Sequence, residues 1–300
     1  MTVALAAAIA LAFALDLAVG EPPSEIHPVV ALGRVIDVLD RSWPRPALAG
    51  LLVAIVVPAA TAVITGGVVG FLLAAEQAAG IAAAGVFLFS SVSLRRLQSA
   101  ARRTIRQTTR DVDAARESVR ALVGRETGEL SAAHVRSAAL ESAAENLADG
   151  LIGPLVAFLL GGLLSLPVAV GAATWVKAVD TLDSMLGYRS HPMGWASARL
   201  DDVAAWIPAR ISALLIALAA ASPGSLTAAR DWAAETASPN AGWPMATIAV
   251  VTGSRLEKPS AYRLGPSAEL PDVERALVGV RTVYRAGIIG FALAVILAWS

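Results

Sequence analysis

The chain has 300 residues, of which 56% are hydrophobic and 16% charged, and its mean hydropathy is +0.64. This composition excludes a disordered chain and disfavours an ordinary soluble domain, and 24 basic residues balancing 24 acidic ones leave no global basic field for nucleic acid. Zero Cys and three His exclude thiol chemistry and argue against a zinc site. The sequence predicts an all-α, polytopic helical membrane protein that forms a single membrane-embedded domain.

Apolar segments long enough to span a membrane lie at both ends of the chain and near its first quarter. Spanning the hydrocarbon takes roughly 20 mostly apolar residues. For the first segment we favour a span over a secretory signal, because no basic region precedes the apolar run. Trp43 and Trp299 lie where interfacial aromatic side chains are expected. The predicted spans are 1–20, 47–74, 80–94 and 286–300.

The segment 95–149 differs from its neighbours in being strongly polar, with ten Arg and eight acidic residues. Its apolar positions recur every three or four residues, which predicts amphipathic helices. The arginines either bind an anionic substrate or form a solvated face that obeys the positive-inside rule, and we favour the second interpretation. We therefore expect cytoplasmic helices here, attached to a multi-pass protein of the inner (plasma) membrane.

The segment 150–253 contains apolar runs that Gly and Pro interrupt, and several are too short to span. Non-helical backbone is tolerated at membrane depth where it is buried in protein or lines a wet cavity. We expect broken or re-entrant helices around 151–179 and 204–253, which would return the polar motifs to the cytoplasmic side. We expect 254–285 to be a loop.

Three carboxylates recur every four residues on the predicted helix 131–149: Glu141, Glu145 and Asp149, with Asn146 beside them. Like charges at this spacing destabilise a helix unless something compensates them. Basic neighbours would compensate, and so would a divalent cation bridged to phosphate oxygens. We favour the cation.

Four further polar motifs separate the apolar runs. Each has a plain structural alternative: a rigid interfacial turn, a Lys-Asp pair that satisfies itself, or an ordinary loop. Ionisable residues at membrane level are nevertheless functional candidates by default. The reactive residues are Glu21 and His27 in GEPPSEIHPVVALGR; Lys177, Asp180 and Asp183 in KAVDTLDSMLGYR; Arg199, Asp201, Asp202 and Arg210 in ARLDDVAAWIPAR; and Asn240 in SPNAGWP.

These stretches, together with ALESAAENLADGLIGPL, resemble in content and order the adenosylcobinamide-phosphate synthases (cobinamide synthases) of cobalamin biosynthesis. The resemblance extends over residues 16–250 and weakens after Gly253 to a short loop and a closing span. The family commonly has Asn where this sequence has Asp180.

The resemblance implies an integral membrane enzyme that joins aminopropanol, or its phosphate, to a propionate side chain of adenosylcobyric acid, using ATP and Mg²⁺. An acyl phosphate attacked by the amine is the natural route, in which Lys177 and Arg199 neutralise phosphate and Asp183 or Asp202 accepts a proton. His27 is the alternative contact to the substrate phosphate. The implied catalytic residues are Glu145, Lys177, Asp183 and Asp202; the magnesium ligands Glu141, Glu145 and Asp149; and the substrate contacts Glu21, His27, Asn146, Asp180, Tyr188, Arg199, Asp201, Arg210, Asn240 and Trp243.

The sequence contains no GxxxxGK[ST] phosphate loop, and the glycines at 66–70 lie in an apolar span without the required lysine.

Two other classes of function compete with the enzyme. A non-catalytic membrane signalling protein would not need all five motifs, and a corrinoid transporter would use charges on broken helices. Partners expected for the enzyme are the corrinoid, the aminopropanol compound and the bilayer, with a homo-oligomer possible and nucleic acid excluded.

Overall fold

The computed structural model describes residues 2–123, 126–187, 191–265, 267 and 269–300. In chain order, the first helices are α1 (Thr2–Ala18), α2 (Pro28–Leu39), α3 (Pro46–Ala75), α4 (Gln77–Ser91), α5 (Arg95–Gln107), α6 (Val112–Val123) and α7 (Ala132–Leu147). After a π-helical turn (Ala148–Ile152) come α8 (Gly153–Gly162), α9 (Leu166–Leu186), α10 (Trp195–Ala204), α11 (Trp206–Ala219), α12 (Gly224–Ala229) and α13 (Gly242–Thr252). Strands β1 (Leu256–Lys258) and β2 (Tyr262–Leu264) precede α14 (Val273–Trp299).

Long apolar helices confirm the all-α, polytopic membrane class. On α3, Val63 is 73% exposed and Phe71 75% exposed, as expected of a surface that faces hydrocarbon rather than water. The helices α10 and α11 are together also long and apolar enough for a broken span. Within the described ranges, the stretches long and apolar enough to cross a membrane are Pro46–Ala75, Gln77–Gln107, Ala132–Gly162 and Val273–Trp299.

The helix boundaries differ from the sequence prediction at two places. The predicted loop 254–285 is partly wrong, because it holds the β1–β2 hairpin and because α14 begins at Val273. Asp272 explains that start, since its side chain accepts a hydrogen bond from the Arg275 N–H at 2.7 Å. The second difference is α1, whose 17 residues lie at the lower limit for a span.

The chain folds into two compact units, each assembled from segments that are distant in sequence. Unit 1 consists of Met1–Ser93, Asp149–Ala205 and Phe291–Ser300, and unit 2 of Leu94–Ala148 and Trp206–Gly290. The predicted polar motifs are divided between the two units.

In unit 1, α3 and α9 pack closely through small residues and one polar contact. A Cβ atom on Gly66 would lie 2.8 Å from the Pro167 carbonyl oxygen, so this approach needs glycine. The buried hydroxyls of Thr65 and Thr174 share a hydrogen bond of 2.7 Å across the pair. Together these contacts hold α9, which carries Lys177, firmly against the longest apolar helix.

Helices α8 and α9 form a helical hairpin, which is the broken structure predicted around 151–179. Ser165 begins α9 by accepting a hydrogen bond from the Val168 N–H at 3.3 Å. At the turn, Leu163 and Leu164 are each 75% exposed. The hairpin therefore presents an apolar tip and keeps the polar half of α9 at its other end.

Unit 2 packs α7 against α5, α6, α13 and the β1–β2 hairpin. The strands pair antiparallel, with Leu256 opposite Leu264, and both side chains are fully buried. A left-handed residue, Gly253 at φ 59°, ends α13 and turns the chain into the hairpin. The hairpin thereby covers a stretch of α7 that contains one of the predicted carboxylates.

Candidate functional site

Lys177 is the centre of a charged cluster in unit 1. Its Nζ donates a hydrogen bond to Asp180 Oδ2 at 2.6 Å, one helical turn further along α9. Both side chains are about four-fifths buried, with 21% and 20% exposure. The pair predicted from the three-residue spacing is therefore formed, and its burial makes the interaction stronger than a surface ion pair.

Two further carboxylates, Asp149 and Glu21, act on the same ammonium group. Burial by itself would lower the pKa of Lys177, but the negative charges of Asp180, Asp149 and Glu21 outweigh burial and raise it. Lys177 lies in the polar half of α9, outside the candidate spans. The group therefore carries a positive charge at neutral pH and is not suited to removing a proton.

Ser93 ties two of these segments together. Its hydroxyl donates to Glu21 Oε1 at 2.9 Å, and its backbone N–H donates to the Gly150 carbonyl oxygen at 3.0 Å. Gly150 directly follows Asp149 in the π-helical turn. Segments far apart in sequence, at 21, 93, 149 and 177, are thus held in one cluster.

The π-helical turn itself changes the register of the predicted carboxylate helix. Regular α-helical spacing holds only to Leu147, and Asp149 lies in the wider turn that follows. Such turns occur frequently at functional sites.

Helix α10 supplies a second ion pair in unit 1, between Arg199 Nη1 and Asp202 Oδ2 at 3.5 Å. The Arg199 side chain is 58% exposed, whereas that of Asp202 is 11% exposed. The neighbouring Asp201 uses its backbone oxygen to accept the Ala205 N–H at 2.8 Å. Arg199 is consequently open to an incoming anion while remaining close to a buried carboxylate.

Asp183 lies half-buried near the C-terminal end of α9. Its backbone oxygen accepts the Gly187 N–H at 2.7 Å, and a Cβ atom on Gly187 would collide with the Asp183 side chain. Glycine at 187 is therefore needed to leave room for this carboxylate. Tyr188, the last predicted residue of this motif, lies outside the described residues.

Glu141 occupies a different position from the predicted one. In unit 2, its Oε1 accepts the Ser137 hydroxyl at 2.6 Å and its Oε2 accepts the Tyr262 hydroxyl at 2.7 Å. The same Ser137 oxygen accepts the Glu257 N–H of β1 at 2.8 Å. Glu141 is 3% exposed, so it fixes the β1–β2 hairpin on α7 and is not arranged as a metal ligand.

In the described part of the chain, no group of three or more His, Asp or Glu side chains is arranged to hold a metal ion. Among the described residues Glu141, Glu145 and Asp149 are not arranged as such a group, and their role as magnesium ligands stays a prediction. Glu145 is half-buried on α7, and Asn146 donates to the Ser142 carbonyl oxygen at 3.0 Å. The four-residue spacing of the carboxylates did not reveal that Glu141 faces the hairpin.

Arg210 joins two predicted motifs in unit 2. Its Nη1 donates to Asn240 Oδ1 at 2.7 Å and to the Trp206 carbonyl oxygen at 2.8 Å. The guanidinium lies over the rings of Trp206 and Trp243, 4.4 and 5.4 Å from their centroids. Asn240 is 3% exposed, so the SPNAGWP turn is anchored by this contact.

His27 begins α2, where its Nδ1 accepts the Val29 N–H at 3.2 Å. The ring therefore has a structural role as a helix cap.

Three residues that hold these sites together were not predicted from the sequence: Ser93, Tyr262 and Trp206. Ser93 lies between an apolar helix and an arginine-rich one, and Trp206 precedes the Ile-Pro-Ala-Arg stretch of its motif, so each carried a weak signal in the sequence. Tyr262 carried none, because the carboxylate that it contacts lies 121 residues away.

Comparisons with protein families and with individual proteins point to the same family. The model of the CobD/Cbib protein family matches residues 9–286. A probable cobalamin biosynthesis protein CobD of Methanothrix thermoacetophila is 35% identical, covering 96% of this chain and 95% of its own. Another probable cobalamin biosynthesis protein CobD, from Thermococcus kodakarensis, is 38% identical, and the match covers 96% of this chain and 93% of the relative. The cobalamin biosynthesis protein CobD of Rhodobacter capsulatus is 37% identical, and the match covers 86% of this chain and 83% of the relative. No solved structure matches the chain.

The fold and the charged clusters define an all-α membrane protein with a buried lysine among carboxylates. The match over nearly the whole chain identifies it further: the chain belongs to the CobD/Cbib protein family.

Proposed function

We propose that this protein acts in cobalamin biosynthesis as an enzyme that forms an amide bond between a propionate carboxylate of adenosylcobyric acid and aminopropanol or aminopropanol phosphate. The observation that carries the proposal is the buried Lys177 cluster in a chain whose relatives, matched over almost their full length, are named cobalamin biosynthesis proteins. Buried ionisable residues in a membrane protein are functional candidates by default, and this cluster brings several of them together.

The chemistry requires activation, because a carboxylate and an amine do not condense unaided in water. A propionate oxygen attacks the γ-phosphorus of ATP, which gives an acyl phosphate and releases ADP. The amine nitrogen then attacks the acyl carbon, phosphate leaves with the C–O bonding electrons, and a base accepts the proton from nitrogen. The products are the amide, ADP and phosphate.

Lys177 is proposed to stabilise the negative charge that develops on phosphate oxygens. Its ammonium is charged and partly desolvated, and a preorganised charge of this kind lowers the barrier to group transfer. Arg199, with its exposed guanidinium, is proposed to bind a phosphate at the edge of the site. Asp183 and Asp202 are the proposed proton acceptors, since both are partly buried carboxylates in unit 1.

Magnesium would enter this reaction together with the nucleotide. Mg²⁺ typically binds one or two carboxylates and otherwise keeps waters and phosphate oxygens, so a three-carboxylate site is not required. Glu141 does not fit as a ligand, because both of its oxygens accept hydrogen bonds. Asp149 fits, since it lies within electrostatic range of Lys177, and Glu145 remains a second candidate. When bound, the ion would offset phosphate charge.

The proposed location is the inner (plasma) membrane with the site on the cytoplasmic side. The apolar helices support a membrane location, and the arginine-rich segment that follows α4 supports its cytoplasmic orientation. Glu21, His27, Asn146, Asp180, Asp201, Arg210, Asn240 and Trp243 remain the proposed substrate contacts.

The test is a reaction of purified protein in detergent with adenosylcobyric acid, aminopropanol phosphate, ATP and Mg²⁺, followed by mass spectrometry. The expected product is the amide, formed with ADP in equal amount and absent when ATP is omitted. Repeating the reaction with aminopropanol in place of aminopropanol phosphate identifies which of the two amines the enzyme prefers. Absence of amide, together with corrinoid flux into vesicles that contain the protein, would show a transporter instead.

A further inference from the structure

We infer that the arginine face of α5 is a binding site for the phosphate headgroups of anionic phospholipids. The site is a groove of about 510 Å³ in unit 2, and its lining is polar. Four arginines dominate it: Arg102, Arg103, Arg106 and Arg110, with Gln98 and Gln107 beside them. This inference does not depend on the proposed amide synthesis.

The four arginines share one groove, which distinguishes them from Arg120, Arg230 and Arg281, three other arginines of the unit that form no ion pair within the described residues. Within the described residues none of the four forms an ion pair, whereas Arg116 pairs with Asp113 at 2.8 Å and Arg136 donates to the Pro271 carbonyl oxygen at 2.9 Å. Helix α5 itself contains no acidic residue. Four such positive charges in one groove create a strong local attraction for an anion, even though the chain is neutral as a whole.

Helix α5, which carries most of the groove, is held in one orientation by the residues packed on its opposite face. The opposite face of α5 buries Ala101, Thr104 and Ile105 completely or nearly so, in contact with α6 and α7. This packing fixes the rotation of α5 about its axis, so Arg102, Arg103 and Arg106 remain on its outer face, while Arg110 follows three residues after the helix ends. An incoming headgroup therefore meets a preformed charged surface.

Position in the chain favours a lipid over a soluble anion. The first residue of α5 comes four residues after the last of α4, which is the apolar part of the candidate span Gln77–Gln107. Clusters of four to eight basic residues next to a spanning helix are typical of binding to anionic lipids. The arginines thus lie in sequence where headgroups are expected.

The lining also argues against a nucleotide. It consists only of Arg, Gln and Ser side chains, without an aromatic or large apolar residue that could pack against a base. Guanidinium groups, in contrast, match phosphate oxygens in geometry as well as in charge. The groove therefore suits a phosphate group whose remaining part lies elsewhere, as the acyl chains of a lipid do.

The experiment uses full-length protein, delipidated in neutral detergent, with native mass spectrometry counting bound lipid during titration with phosphatidylglycerol or phosphatidylcholine. The comparison variant is R102Q/R103Q/R106Q, and the matched control is R120Q/R230Q/R281Q, which removes three exposed arginines elsewhere. We expect the wild type and the control to prefer phosphatidylglycerol. The groove variant should bind phosphatidylglycerol about fivefold more weakly for each arginine removed, on the order of a hundredfold in all.

A charge-retaining variant and a salt titration test whether positive charge explains the lipid binding. R102K/R103K/R106K retains the charge and should retain most of the preference, and raising the salt concentration should weaken wild-type binding without any mutation. Equal binding of the two lipids by the wild type would overturn the inference. So would displacement of phosphatidylglycerol by inorganic triphosphate at matched ionic strength, because the groove would then favour a free anion.

Discussion

The Tyr262 hydroxyl donates a hydrogen bond to Glu141 Oε2 at 2.7 Å, joining β2 to the middle of α7. Glu141 also accepts the Ser137 hydroxyl, so each of its carboxylate oxygens has a donor from the protein. A buried carboxylate in this situation is held by neighbouring side chains and backbone rather than by a cation. The relationship gives Glu141 a role as an anchor for the hairpin.

Tyr262→Phe should therefore lower stability and leave catalysis intact. Loss of a buried hydrogen bond to a charged group costs about 1.5–3 kcal/mol, which should appear as a lower melting temperature in detergent. Turnover for each folded molecule should stay within about twofold of wild type. Tyr284→Phe, on the closing helix, is the matched control for removing a phenol.

The opposite pattern would contradict this role for Glu141. If Tyr262→Phe left the melting temperature unchanged but made turnover depend on a higher magnesium concentration, Glu141 would be better described as a metal ligand.

Lys177→Gln should remove most of the activity while the protein remains folded. The amide can still donate a hydrogen bond to Asp180 but cannot offset developing negative charge, so kcat should fall by about 10²–10³-fold. The chain has only one other lysine, Lys258, which is exposed on β1. Lys258→Gln is therefore the control and should behave like wild type. Full turnover by Lys177→Gln would exclude the proposed role of the ammonium.

Much of this architecture follows from local features of the sequence. The apolar runs predict α3 and α4 within a few residues, since hydrophobic length is a property of the segment itself. The pairing of Lys177 with Asp180 is also local, because residues three apart share a helix face.

The features that the sequence did not predict depend on distant partners or on irregular backbone. Glu141 meets Tyr262 across 121 residues, and Ser93 meets Glu21 across 72. The π-helical turn at Ala148–Ile152 is wider than the α-helical turn on which the four-residue spacing of the three carboxylates depends. Such contacts follow from tertiary packing, which no local periodicity encodes.

Ser93→Ala tests a positioning residue. Without the hydroxyl, Glu21 loses a donor that ties it to the segment before α5, and substrate binding should weaken, with KM rising on the order of tenfold and kcat little changed. Ser93→Thr keeps the hydroxyl and should restore KM. Ser90→Ala, which removes only a contact to the Phe87 carbonyl oxygen, is the control. A fall in stability that Ser93→Thr does not rescue would indicate a purely structural role.

Arg210→Lys should weaken the link between α11 and the SPNAGWP turn. Lysine keeps the charge but loses the planar stacking over Trp206 and the geometry that reaches Asn240, at a cost of about 1–3 kcal/mol. We expect a lower melting temperature and a changed Trp fluorescence spectrum. Arg263→Lys, at an exposed arginine whose pair with Glu257 a lysine can keep, should change neither. Wild-type fluorescence and stability in Arg210→Lys would contradict the anchoring role.

Gly187→Ala should impair catalysis through the carboxylate beside it. At φ −71° the backbone of Gly187 suits any residue, so the cost comes from the added methyl group, which would collide with the Asp183 side chain. Displacing a proposed proton acceptor by about 1 Å should reduce kcat on the order of tenfold to a hundredfold. Gly67→Ala on α3, where an added Cβ meets nothing within 4 Å, is the matched control and should leave kcat unchanged. Restored turnover at higher pH would show that the displaced Asp183 is a base whose role hydroxide can partly assume. Unaltered kcat in folded Gly187→Ala would instead remove Asp183 from the reaction and leave Asp202 as the proposed proton acceptor.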